Sequence, residues 1–143
     1  MPSNPAFSVY ALAAVLVCSH MLLLDAYSGV ARARSKTTPN PEDSKTFEIV
    51  ATEPEAVARV LRAHRNLVAN GVPFLLLGLV MVLQGTTKTA AMAYFGTFIV
   101  ARLGHTFAYL GGKQPFRSIF FAVGQLAITG MAVQIVRTAL AGL

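Results

Sequence analysis

The sequence predicts an all-α fold, an integral-membrane bundle of four helices running up and down, and three observations carry that prediction. Hydrophobic residues make up 55% of the 143 positions, charged residues only 13%, and mean hydropathy is +0.58, a balance too apolar for an ordinary soluble domain of this size. Residues 6–30, 67–83, 89–110 and 119–136 form four apolar stretches that approach the roughly 20 residues needed to cross a bilayer. The segments between them are short, apart from the one after the first span. A single domain over residues 1–143 is therefore expected, with helices at about 5–34, 53–84, 87–110 and 115–140.

Each element has a local reason. Asn4 followed by Pro5 reads as an N-cap with proline in the first helical position. The first span lacks a basic leader and is far longer than the apolar core of a secretory signal, so it is read as a retained helix. Pro39, Asn40, Pro41, Glu42 and Asp43 then break the chain into a compact polar loop. Thr52 and Glu55 have capping-box spacing, which predicts that the second helix starts there and extends below the bilayer before entering it. Pro73 should loosen that helix by removing one backbone bond, and Gln84 and Gly85 should end it. Thr86 or Thr87 can cap the third helix, Gly111 and Gly112 can end it, and Pro115 can start the fourth.

Charge placement predicts orientation. Arg32, Arg34, Lys36, Lys45, Arg59, Arg62 and Arg65 lie between the first two spans, and Lys113 and Arg117 between the last two. Because cytoplasmic loops carry the excess of Lys and Arg, both termini are expected on the opposite side, with the polar rim facing the cytoplasm. The net charge of +6 thus gathers at one membrane boundary, where an anionic solute or lipid explains it better than nucleic acid does. No nucleic-acid module is visible. Cys18 is the single cysteine, so neither a disulfide framework nor a metal cluster is expected.

The densest signal is the junction at the start of the second span. Arg59, Arg62, His64, Arg65 and Asn66 fall within eight residues, and Leu67 then opens seventeen residues without a charge. Guanidinium groups are costly in hydrocarbon, so donors concentrated there imply a site for an anion. The third helix repeats the pattern with Arg102, His105 and Tyr109 at i, i+3 and i+7, and the fourth adds Arg117 and Ser118, with Gln125 two turns on. Single arginines at helix ends commonly snorkel to headgroups, and lone histidines are usually hydrogen-bonded structural groups. Convergence of several helices on one depth favours a site. His64 and His105 have no carboxylate at zinc spacing, and no metal is expected. Asp25, the one acid in a membrane segment, is expected to pair with a basic group such as Arg102, and His20 to share its polar seam.

The string Arg59-Val60-Leu61-Arg62-Ala63-His64-Arg65-Asn66, followed by Pro73-Phe74-Leu75, Ala101-Arg102, His105-Thr106, Ala108-Tyr109-Leu110 and Arg117-Ser118, resembles the MAPEG family of membrane-associated proteins in eicosanoid and glutathione metabolism. The Asn40-Pro41-Glu42-Asp43 turn is similar as well. The resemblance covers nearly the whole chain and is nearest the branch of the microsomal prostaglandin E synthase and the microsomal glutathione transferase, with a bacterial member and an inner-membrane location expected. It implies a homotrimer with glutathione between neighbouring subunits. By position it assigns Arg65, Asn66, His105, Tyr109, Arg117 and Ser118 to glutathione, and Arg32 to a contact from the neighbouring subunit; Arg62 and Gln125, on the same helix faces as these residues, are expected to join the binding set. Arg117 and Ser118 match the pair that holds the thiolate, and Asp43 an acid that assists prostaglandin isomerisation.

The implied activity is conjugation of glutathione to lipophilic electrophiles, with lipid hydroperoxide reduction as an extension. A prostaglandin E synthase-like isomerase and a non-catalytic membrane scaffold are the alternatives. An anion channel is disfavoured, because the helix halves away from the arginines offer almost no polar groups. The sequence also departs from the family pattern, which usually has Asn-Asp-x-Glu where Asn66-Leu67-Val68-Ala69 stands, so the carboxylate expected near the peptide's amino end is absent. Phe121 replaces a tyrosine of the synthase branch.

Overall fold

The computed structural model describes residues 4–143 and contains four long helices: α1 (Pro5–Ser35), α2 (Glu55–Leu83), α3 (Lys88–Leu110) and α4 (Phe116–Ala141). Asn4 caps α1 through its side chain, which accepts from the Ala6 N–H at 3.0 Å, and Pro5 takes the first turn, where its missing N–H costs nothing. Lys36, in the left-handed region at φ 54°, ends the helix. Thr87 caps α3 by accepting from Ala90 N at 3.2 Å.

The capping box expected at Thr52 and Glu55 does not form. Pro54 is the N-cap residue of α2 and makes no side-chain cap, so the helix starts at Glu55 rather than near residue 53. Glu55 turns instead toward Arg59 and Arg62, whose guanidiniums compete for its carboxylate. The polar loop after α1 also holds more order than its composition suggests. Thr37–Thr38 and Glu48–Ile49 pair as two short parallel strands, β1 and β2, around a 3-10 turn at Pro41–Asp43. Backbone bonds from Glu48 N to Lys36 O (2.8 Å) and from Val50 N to Thr38 O (3.0 Å) close that loop.

α1 packs against α2 and α3, and α4 against α3 and α2, so α2 and α3 form the middle of the bundle. The centre is aromatic: Phe74 stacks on Phe98 with ring centroids 4.0 Å apart, and meets Phe95 edge-on at 5.5 Å. Ala13, Val17, Met81, Ala127 and Met131 complete the core. Between membrane helices the packing itself carries association, because lipid tails are as apolar as the side chains. Polar contacts tie down the opposite end of the bundle, where Arg137 is the one arginine among the described residues. Gln84 Nε2 donates to Ile135 O at 3.3 Å, Gln134 Nε2 to Thr86 Oγ1 at 2.9 Å, and Asn4 Nδ2 to Val82 O at 3.3 Å.

Three of the four helices, α1, α2 and α4, are long and apolar enough to cross a membrane by length and composition. α3 falls short of the expectation from sequence, because Lys88, Arg102 and His105 dilute it. At 23 residues it is still about 35 Å long, given 1.5 Å per residue, and Arg102 and His105 are hidden inside the bundle. Phe74→Ala, which removes the stack between α2 and α3, is expected to destabilise the fold by about 3–5 kcal/mol. The check is the thermal midpoint in detergent, and an unchanged midpoint would show that the stack is not central.

Candidate functional site

The site is organised around Arg102, which is 1% exposed on the inner face of α3. Its Nη1 donates to Asn66 Oδ1 of α2 at 3.2 Å, and its Nη2 reaches the Phe121 carbonyl of α4 at 3.5 Å. The guanidinium carbon lies 5.3 Å from the Phe98 ring centre and 5.4 Å from that of Phe121, so the charge is held partly by aromatic faces. Space for it comes from Gly124 of α4: a Cβ there would sit 2.5 Å from Nη2 and 2.9 Å from Nε. Nε is buried without a partner. The expected pairing with Asp25 is absent. Asp25 is exposed on α1 and makes no ion pair among the described residues, because Arg102 points inward toward α2 and α4.

Asn66 is fixed from both sides. Its carbonyl accepts from Asn70 Nδ2 at 2.7 Å while its side-chain oxygen is occupied by Arg102, which leaves the Asn66 amide N–H groups as the free donors. His105 is 4% exposed, with its ring 5.5 Å from Tyr109 and 6.0 Å from Phe121. Tyr109 is half-buried and carries Arg117 on its face, the guanidinium carbon 5.0 Å from the ring centre. Arg117 and Ser118 occupy the first turn of α4, where the helix dipole adds positive potential, although the Arg117, Ser118 and Ile119 N–H groups are themselves taken by the Lys113 and Pro115 carbonyls.

The turn before α4 is held to the start of α2. Arg59 Nη1 contacts the Tyr109 carbonyl at 3.5 Å and lies against Gly112, whose φ of 65° suits a residue without a side chain. Glu55 Oε1 accepts from Arg59 Nη2 at 3.0 Å and from Arg62 Nη2 at 2.7 Å, at the water-exposed start of α2. One end of the bundle therefore gathers guanidiniums from α2, α3 and α4, and among the described residues only Glu55 forms an ion pair with any of them there. Guanidiniums gathered in this way have the chemistry to accept a carboxylate or another small anion.

The family model for the MAPEG family matches residues 10–137 of this sequence. The chain belongs to the MAPEG family. It is 36% identical to prostaglandin E synthase of Homo sapiens over 93% of this chain and 90% of that protein. It is 39% identical to prostaglandin E synthase of Equus caballus, with 94% of each chain covered. Microsomal glutathione S-transferase 1 of Sus scrofa is 34% identical over 96% of this chain and 93% of its own. Family and apolar helices together make this an integral membrane protein.

Within this MAPEG chain the candidate residues fall into four groups. Asn66, His105, Tyr109 and Arg117 are linked through Arg102, Phe121 and ring contacts into one cluster. Arg65, Ser118 and Gln125 are exposed on the single subunit, and Arg65 and Gln125 make no side-chain hydrogen bond among the described residues. Arg62 is engaged by Glu55.

Arg32 and Asp43 lie in a different setting. Arg32 is paired within its own subunit, Nη2 to Glu53 Oε1 at 2.6 Å and Nε to the same oxygen at 3.0 Å. Asp43 Oδ2 accepts from Thr38 Oγ1 at 3.2 Å and Asn40 Nδ2 at 3.3 Å, so it serves the loop after α1. Sequence reasoning missed Glu53, Gly124 and Gln114, a residue of the turn before α4. Only Gly124 left a trace, as a glycine interrupting an apolar helix one residue before Gln125. Gly124→Ala is expected to displace Arg102 and cost about 1–3 kcal/mol, measured as a lower thermal midpoint; a midpoint at or above that of the unmodified protein would contradict the fit.

Proposed function

We propose that this protein is a glutathione-dependent membrane transferase, in which the glutathione thiolate attacks a lipophilic electrophile drawn from the bilayer. The carbon–sulfur bond forms with the sulfur electron pair, the leaving group departs with its own, and the thiol proton has already gone to solvent. The observation that carries this reading is Arg117, stacked on Tyr109 at the start of α4 with no carboxylate partner among the described residues. An ordinary thiol titrates near 8.5, so fixed positive charge is required to populate the thiolate at neutral pH. Arg117 and Ser118 supply that charge and a hydroxyl donor.

Arg65, Asn66, His105 and Tyr109 hold the tripeptide, with Arg62 and Gln125 at its margins and Arg32 contributing from a neighbouring subunit. The arginine forks suit the two carboxylates of glutathione. A homotrimer is part of the proposal. Asp25 and Gln125 are exposed on membrane helices of the single subunit, a costly arrangement against lipid that a protein partner relieves. The arginine-rich end faces the cytoplasm and the membrane is a bacterial inner membrane. Relatives named for glutathione transfer and for prostaglandin E synthesis both support a glutathione-using enzyme. Between the two, transfer is preferred, since Asp43 is engaged by its own loop. Arg117→Ala is expected to lower turnover by about tenfold or more at saturating glutathione. Steady-state conjugation of an aryl halide measures it, and unchanged turnover removes Arg117 from the mechanism.

A further inference from the structure

Gln114 lies in the turn before α4 and bonds both residues assigned to the sulfur. One orientation of its amide satisfies both ends at once. In that orientation Oε1 accepts from Arg117 Nη2 at 2.6 Å and from Arg117 Nε at 3.1 Å, while Nε2 donates to Ser118 Oγ at 3.1 Å. Three bonds from one side chain thus fix two neighbouring groups.

The chemistry of each bond matters. A guanidinium has five N–H donors in a rigid plane, and Gln114 takes those along the Nε–Nη2 edge. Tyr109 covers one face of that plane. Nη1 and the outer Nη2 hydrogen remain, aimed away from the turn. Because Ser118 Oγ receives a hydrogen from Gln114, its own O–H must point elsewhere, and Ser118 is exposed. The serine is thereby set as a donor.

Charge is the second consideration. A carboxylate could grip Arg117 with the same fork, but it would cancel the positive potential that the site depends on. The amide orients without neutralising. Around Arg117 the other titratable groups are Tyr109 beneath it, His105 and Arg102 beyond that ring, Lys113, whose backbone carbonyl accepts from Arg117 N at 3.2 Å, and Arg59 and Arg62 of α2, which reach Tyr109 and hold Glu55; among the described residues no acid pairs with Arg117 itself.

We propose that Gln114 is a positioning residue that presents the free edge of Arg117 and the Ser118 hydroxyl to the sulfur of the co-substrate. This role rests on the proposed use of glutathione. The test is a titration of the bound thiol by thiolate ultraviolet absorbance in the full-length protein, compared with Gln114→Leu and Gln114→Glu. Gln114 is exposed in a surface turn, so thermal midpoints should stay level and S-methylglutathione, which has no thiol to ionise, should bind within about twofold. Gln114→Leu should raise the bound thiol pKa by about one unit, a tenfold loss of thiolate at a pH below it. Gln114→Glu should raise it further by placing a negative charge on Arg117. Superimposable titrations in all three proteins would overturn the role of Gln114 alone. Failure of the unmodified protein to bind glutathione would overturn the functional reading and this role with it.

Discussion

A guanidinium buried without a carboxylate is the constraint on which this bundle is built. Arg102 ties its own helix to α2 and α4 through Asn66, the Phe121 carbonyl and two aromatic rings, and Gly124 leaves it the room. Burying a charge that way is expensive unless dipoles and ring faces surround it, so the neighbouring side chains are fixed in turn. Asn66 cannot rotate without stranding Arg102, and Phe121 positions the ring against His105. The outer layer, with Tyr109 and Arg117, is stacked on this inner one.

Charge is distributed so that the cations nearest the fourth helix stay available. Three acids of the polar end are engaged elsewhere: Glu53 holds Arg32, Glu55 holds Arg59 and Arg62, and Asp43 serves the loop after α1. Arg117 is oriented by a ring face and a neutral amide. A guanidinium that no carboxylate pairs with among the described residues, at the start of a helix and beside apolar membrane, suits an anion that must remain reactive toward a lipid-soluble partner.

Much of the architecture was legible in the residues. Asn4 and Pro5, Thr87, and Gly111 after α3 act through local backbone chemistry, and apolar run lengths reflect bilayer thickness, so both signals survive in the sequence. The site was legible as a cluster, because i, i+3 and i+7 spacing puts Arg102, His105 and Tyr109 on one face. Partner choice was not. Arg102 and Asn66 are 36 residues apart and Arg32 and Glu53 are 21 apart, and no spacing rule links such pairs. Asp25 looked like the natural partner by charge, whereas helix rotation decided in favour of an amide. At Thr52 and Glu55 the spacing of a capping box was present, but Pro54 took the cap position and the arginines took the glutamate.

The central claim is that this cationic end keeps a bound sulfur ionised at neutral pH. Stopped-flow mixing of the detergent-solubilised protein with glutathione at pH 7, following proton release together with thiolate absorbance, tests it most directly. The account predicts release of a proton and growth of the thiolate band in proportion to occupied sites. Binding of glutathione with neither proton release nor a thiolate band would contradict it.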